Sequence, residues 1–327
     1  MKAAQTWVLG CTVFALTLVF ALPINSLASE PITTIGTGGI NGVYYSTGGA
    51  IAKMFNLKRQ EFGGWMANQA TKGSVENIKA VLSGEIDFGI AQANFLFDAV
   101  NGEGFYAGQE KGDLRAVLGL YIEDLTIVTA EDAEINTAAD LKGKRVNAGV
   151  PGSSTALTSL KLLKELGIEP EDLTLLHYPE YEVSEKLQSD DIDAYLITVG
   201  HPNLFIMEAT KGKRKVRIIP LDQALIDKVV ARKAYFSADE INPQYYDRLT
   251  DKSLIPTLGV RAVLFTRADM DTKLVYQVVK QVLDNLDLFR QQHPALANLT
   301  RAAMSENHII PLHPGAERYF REKGLHQ

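Results

Sequence analysis

Cysteine is nearly absent: Cys11 is the only one in 327 residues, and it lies in an apolar N-terminal run. Past that run there is no material for a disulfide frame, a thiolate metal site or a cysteine nucleophile. Histidine is also scarce. The six stand at positions 177, 201, 293, 308, 313 and 326, and none has HExxH or other metal spacing. There is no GxSxG nucleophile elbow and no tandem repeat with a period of about 20–50 residues. Basic clusters are missing as well. The net charge is −6, and it becomes −7 without Lys2, the only charged residue before position 29. A mildly acidic chain of this kind is a poor nucleic-acid binder. Its one basic run, Lys211 to Lys215, reads as a solvated turn. Paired-carboxylate chemistry depends on geometry that a sequence does not show. These absences favour a protein that is no enzyme and carries no cofactor or metal.

The N-terminus has a three-part export pattern. Lys2 gives a positive start, Trp7 to Leu22 is uncharged and mostly apolar, and Ser26-Leu27-Ala28 supplies small residues for a peptidase. Cleavage is expected after Ala28. The apolar run of 16 residues is shorter than the ~20 of a spanning helix, and no second run of its kind follows. Val8-Leu9-Gly10-Cys11 looks like a lipid-attachment box but precedes most of the apolar run. The remaining ~300 residues are enough to bury a core without cross-links.

Short apolar strands then alternate with amphipathic helices, which predicts an α/β fold with parallel sheets. Strands are expected over 32–35, 65–70, 86–91, 145–150, 173–178, 192–198, 216–220 and 258–266. Helices are expected over 45–56, 74–82, 94–101, 153–166, 183–188 and 271–289, with Ser74 capping the second and Gly167 ending the fourth. Leu114 to Ala130 is rich in β-formers and should cross between two lobes. In the last helix Val275, Val278, Val279, Val282, Leu286 and Phe289 form one buried stripe. Gly84-Glu85-Ile86-Asp87-Phe88 is echoed, 106 residues on, by Asp190-Asp191-Ile192-Asp193-Ala194. Both copies follow a helix and open a strand. The pattern suggests a duplicated two-lobed clamp: a signal peptide (1–28), the first part of lobe 1 (29–125), lobe 2 (126–235), and a return to lobe 1 with C-terminal helices (236–327).

Ligands of open α/β sheets bind beyond the carboxyl ends of the strands. After the first strand comes a glycine-rich turn with Gly39, Tyr44 and Tyr45, where backbone can approach a ligand and phenols can wall it in. Dinucleotide spacing fails there, since Asn41 replaces the third glycine. Thr71-Lys72-Gly73-Ser74 and Pro151-Gly152-Ser153-Ser154-Thr155 each open a helix, where free N–H groups, the helix dipole and hydroxyls favour an anion. Ordinary capping needs only one hydroxyl, and Ser153, Ser154 and Thr155 offer three. Gln92 and Asn94 follow one strand, and Thr198, Gly200, His201 and Asn203 follow its echo. Each of these polar groups suits either a solute or a cap.

Several stretches together resemble the TAXI proteins, the solute-binding subunits of one class of TRAP (tripartite ATP-independent periplasmic) transporters. They are Ile35 to Gly39 with Gly42 to Tyr45, Gly73 to Asn77, Ile86-Asp87, Asp140 to Val146, Gly149 to Thr155, and Ile310 to Tyr319. The resemblance spans nearly the whole chain beyond the signal. It implies a type II periplasmic-binding-protein fold with a ligand between two lobes. It also implies capture of a small carboxylate, glutamate-like, dicarboxylate or keto acid, and delivery to an ion-gradient-driven TRAP membrane permease. On that basis the glycine-tyrosine turn and the Ser-Thr helix start line the pocket. The chain departs from the family at Lys72, at Ser154 and Ala156, and at Arg261. Lys72 is a candidate contact for a second carboxylate.

Overall fold

The computed structural model describes residues 31–249, 253–306 and 309–325; the expected signal peptide lies outside them. Pro31 onward forms one compact unit. Its strands are β1 (Ile32–Gly36), β2 (Trp65–Gln69), β3 (Phe88–Gln92), β4 (Leu114–Ala130), β5 (Arg145–Asn147), β6 (Thr174–Leu176), β7 (Ala194–Val199), β8 (Val216–Ile219), β9 (Phe236–Ile241) and β10 (Ile255–Arg267). The helices are α1 (Val43–Asn56), α2 (Arg59–Phe62), α3 (Ser74–Ser83), α4 (Ala93–Asn101), α5 (Ser154–Glu165), α6 (Val183–Gln188), α7 (Leu204–Lys211), α8 (Gln223–Val230), α9 (Thr272–Asp284), α10 (Leu286–Arg290), α11 (Arg301–Ser305) and α12 (Pro314–Glu322). The expected α/β alternation is therefore present. No helix among the described residues is long and apolar enough to cross a membrane.

All ten strands join one sheet in the order β2-β1-β3-β10-β4-β7-β5-β6, with β8 on β4 and β9 on β10. Parallel pairs lie at both ends: β1 with β2 and β3, and β5 with β6 and β7. The two long antiparallel strands β4 and β10 connect these halves. Side chains alternate along β10: Ala262 and Leu264 enter a core with α1, α9 and α12, while Val263 and Phe265 enter one with α3 and α4. Helices thus cover both faces, as a sheet buried on both sides requires.

The predicted valine stripe is fully buried, and each such side chain is worth about 1.5–3 kcal/mol. The single helix expected over 271–289 is instead α9 and α10, divided at Asn285, whose φ is −108°. Leu286 and Phe289 stay buried across the break. Ser74 does not cap α3. Gly73 holds the cap position with no side-chain bond, and Ser74 Oγ accepts from Gln92 N–H at 3.1 Å. The basic run after α7 is more than a solvated turn. Arg214 pairs with Asp132 and Asp190 and donates to the Leu187 and Ile192 carbonyls.

Candidate functional site

Two helix starts meet beyond the ends of β3 and β5. A β-carbon placed on Gly73 would lie 3.3 Å from Ser154 Oγ, so the N-termini of α3 and α5 are neighbours. Gly73 adopts φ of +92°, which an L-side chain rarely tolerates. It opens α3 with no side chain over the first-turn N–H groups, and such groups have no partner inside the helix. On α5, Ser153 caps the helix in the ordinary way, accepting from Ala156 N–H at 3.1 Å. Ser154 Oγ is buried and makes no hydrogen bond. A buried hydroxyl without a partner is costly, so it marks a place built to receive one. Two positive helix ends and a hydroxyl donor together suit an anion.

Beside them lies a buried carboxyl that sequence reasoning missed. Glu123, on β4, is only 4% exposed. Tyr44 Oη, from α1, donates to its Oε2 at 2.8 Å. Thr158, on α5, donates to Gln92 Oε1 at 3.1 Å, which leaves the Gln92 amide N–H to face Glu123. Burial pushes the Glu123 carboxyl up to about 8, against the pull of Tyr44 and Gln92, and Glu180 adds a like charge. Glu180 follows β6 and accepts from Thr155 Oγ1. It keeps part of its surface exposed, while crowding around the carboxyl raises it from its ordinary value. Tyr121, two residues before Glu123 on the same face of β4, is buried, and its hydroxyl has no partner other than the nearby Thr47 hydroxyl. Its ring lies against Gly200, where a β-carbon would stand 2.5 Å from Cε2. Burial, then the Glu123 charge, raises the Tyr121 phenol.

Of the residues singled out from sequence, Tyr44, Ser74, Gln92, Ser154, Thr155 and Gly200 are gathered around Glu123, Tyr121 and Glu180. The surroundings of the others are as follows. Gly39 is exposed with nothing near a would-be β-carbon. Tyr45 is half-buried, and its carbonyl accepts from Asn68. Thr71 is spent on loop bonds to Thr37 O and Asn77. Asn94 is buried with both amide atoms unpartnered, and Thr198 pairs with Leu125 inside the sheet. Asn203 caps α7, while His201, held by Thr126 and Tyr246, is pushed down to about 3 by burial. Lys72 is exposed. Arg261 stands opposite Ile122, while its neighbour Val260 stands opposite Glu123, so strand alternation sends it to the other face. Its guanidinium donates to Leu120 O.

A signal for Glu123 was present in the sequence. Glu123-Asp124 puts two adjacent carboxyls in the middle of a mostly apolar β-former run, and a carboxyl buried in a sheet has a strong desolvation cost to offset. Glu180 carries no such signal, because it sits in a turn after a three-residue strand.

Residues 35–324 match the model of the NMT1-like family, and the chain belongs to that family. Among solved structures, one from Bordetella bronchiseptica RB50 is similar at 14% identity and TM-score 0.52, over 90% of this chain and 98% of that one. The periplasmic aliphatic sulphonate binding protein SsuA from Escherichia coli is similar at 16% identity and TM-score 0.47, over 90% and 84%. The GluR0 ligand-binding core from Nostoc punctiforme, solved with L-glutamate, is similar at 16% identity and TM-score 0.47, over 80% and 96%. The fold is a mixed α/β fold, shared with the Bordetella bronchiseptica structure over most of both chains.

Proposed function

We propose that this NMT1-like protein is an extracytoplasmic solute-binding protein that captures a small carboxylate between two lobes. In this reading residues 29–125 and 236–327 form lobe 1, residues 126–235 form lobe 2, and β4 with β10 is the hinge. The observation that carries it is the meeting of the α3 and α5 N-termini at Gly73 and Ser154, with the unpartnered Ser154 hydroxyl between them. A carboxylate there takes charge-assisted hydrogen bonds, worth about 1.5–3 kcal/mol each. Three or four of them approach the ~8 kcal/mol of micromolar binding.

The TAXI-like motifs support a TRAP permease, driven by an ion gradient, as the membrane partner. The same fold would serve an ATP-driven importer or a membrane sensor equally well, and neighbouring genes discriminate: a large fused permease gene favours TRAP, an ATPase gene the importer. Export across the inner membrane with cleavage near Ala28 belongs to the same reading. Calorimetry against amino acids, keto acids and dicarboxylates tests it. Micromolar binding by at least one is expected, reduced about tenfold or more by Ser154→Val. Silence across the panel would sink the reading.

A further inference from the structure

The site holds a second, opposite polarity. Glu123 and Glu180 lie close enough to repel, and among the described residues neither forms an ion pair. The groups facing Glu123 are Tyr44 from α1, Gln92 from β3, Tyr121 from its own strand and Glu180 from the loop after β6; none is a cation. An independent observation points the same way. Tyr121 Oη and Thr47 Oγ1 are both buried beside this carboxyl and have no hydrogen-bond partner besides each other. One side of the cluster therefore presents N–H groups and a hydroxyl to an anion, and the other presents carboxyl and phenol oxygens to a donor.

The structure assigns Glu123, with Glu180 and Tyr121, as a subsite for the cationic nitrogen of the solute, so that the ligand is a zwitterion such as an α-amino acid and not a keto acid or plain dicarboxylate. This rests on the solute-binding reading and narrows it. A bound ammonium favours the ionised carboxylate. Because burial holds the free Glu123 carboxyl up to about 8, amino-acid binding at pH 7 releases a proton, and affinity rises with pH up to about 8. An anion lacking nitrogen has the reverse effect: it disfavours ionisation, and its affinity falls with rising pH.

Calorimetry of the protein, freed of carried-over solute by dialysis from denaturant, tests this with matched pairs. They are L-glutamate and 2-oxoglutarate, L-alanine and pyruvate, and L-phenylalanine and phenylpyruvate, each run in two buffers of different ionisation enthalpy. The expected result is at least tenfold tighter binding of one amino acid than of its keto partner, with release of up to one proton. Glu123→Gln should remove both the preference and the proton release. A keto acid that binds as tightly as its amino acid overturns the zwitterion assignment and leaves solute binding intact. Amino-acid binding that survives Glu123→Gln unchanged also overturns it. Failure of every compound, extended to the remaining amino acids and dicarboxylates, removes the solute-binding reading itself.

Discussion

The echo between the two halves of the sheet extends to individual hydrogen bonds. After α3, Gly84 turns the chain with φ of +76°, and after α6, Asp190 does so with φ of +63°. The next two N–H groups return to one helix carbonyl, Glu85 and Ile86 to Ala80, Asp191 and Ile192 to Lys186. Asp87 then accepts from the Thr34 N–H of β1 at 2.8 Å, and Asp193 from the Arg145 N–H of β5 at 2.7 Å. The carbonyls of the same aspartates accept from Thr266 and Thr129 on the two connecting strands. Arg267 and Arg214 each donate to a carbonyl three residues before the turn. The halves differ in charge. In the second, Arg145 also pairs with Asp193 and Asp190, and Arg214 with Asp190. In the first, a glycine occupies the turn and the Asp87 carboxylate is bonded by Thr34 alone. One backbone device is thus kept in two chemical forms. The first uses glycine's conformational freedom. The second holds a strained residue in place with ion pairs.

The largest test of this equivalence lies in its two buried isoleucines. Ile86→Ala and Ile192→Ala should each cost about 2–5 kcal/mol, read from urea unfolding; a trivial cost at one site alone would break the parallel. Asp193→Asn should cost about 2–3 kcal/mol, because its partners are charged, and Asp87→Asn nearer 1. The same denaturant midpoints decide it, and equal losses would show that the arginines add nothing.

Titration should separate the halves from their junction. Burial raises the Asp193 carboxyl, but bonds from Arg145 outweigh this and leave it below the ordinary value of 3.8. Its contribution is present above that value and lost as pH falls through the lowered one. Glu123 has the opposite sign. Its folded value of about 8 lies above the ordinary 4.5, so the folded state holds the extra proton and stability falls as pH rises between those limits, by at most about 1.4 kcal/mol per pH unit. Thermal melts of the ligand-free protein from pH 5 to 8 should show this decline, and Glu123→Gln should flatten it. The smallest effect is expected from Asp190→Gly, which gives the second turn the chemistry of the first. Relief of the left-handed residue offsets the loss of partly exposed ion pairs, for a net loss under about 1 kcal/mol by differential scanning calorimetry.

Much of this architecture was legible in the residues. The spans of β4 and α6 follow directly from a β-rich run and a compact amphipathic one, and the two echoed strands appear where the repeat places them. β9 was missed because its sequence, Phe236-Ser-Ala-Asp-Glu-Ile241, is mostly solvent-facing and looks like a loop until β10 pairs with it. The break at Asn285 was hidden because apolar spacing continues through it. At the site, the hydroxyls at the start of α5 stood out by their excess. Which of them caps and which is left unpartnered depends on the approach of Gly73, a contact between segments 81 residues apart. Local pattern carries no information about such meetings.

The strand order has a consequence for the nascent chain. β3 pairs with β10 through Gln92 and Ala262, positions separated by 170 residues. At about 5–20 residues per second, roughly 10–30 s of synthesis pass before the first half of the sheet receives its missing neighbour. Contacts this distant also slow folding once the chain is complete. In the proposed export reading the chain gains time from this arrangement, since its central sheet cannot close while the C-terminal third is still being made.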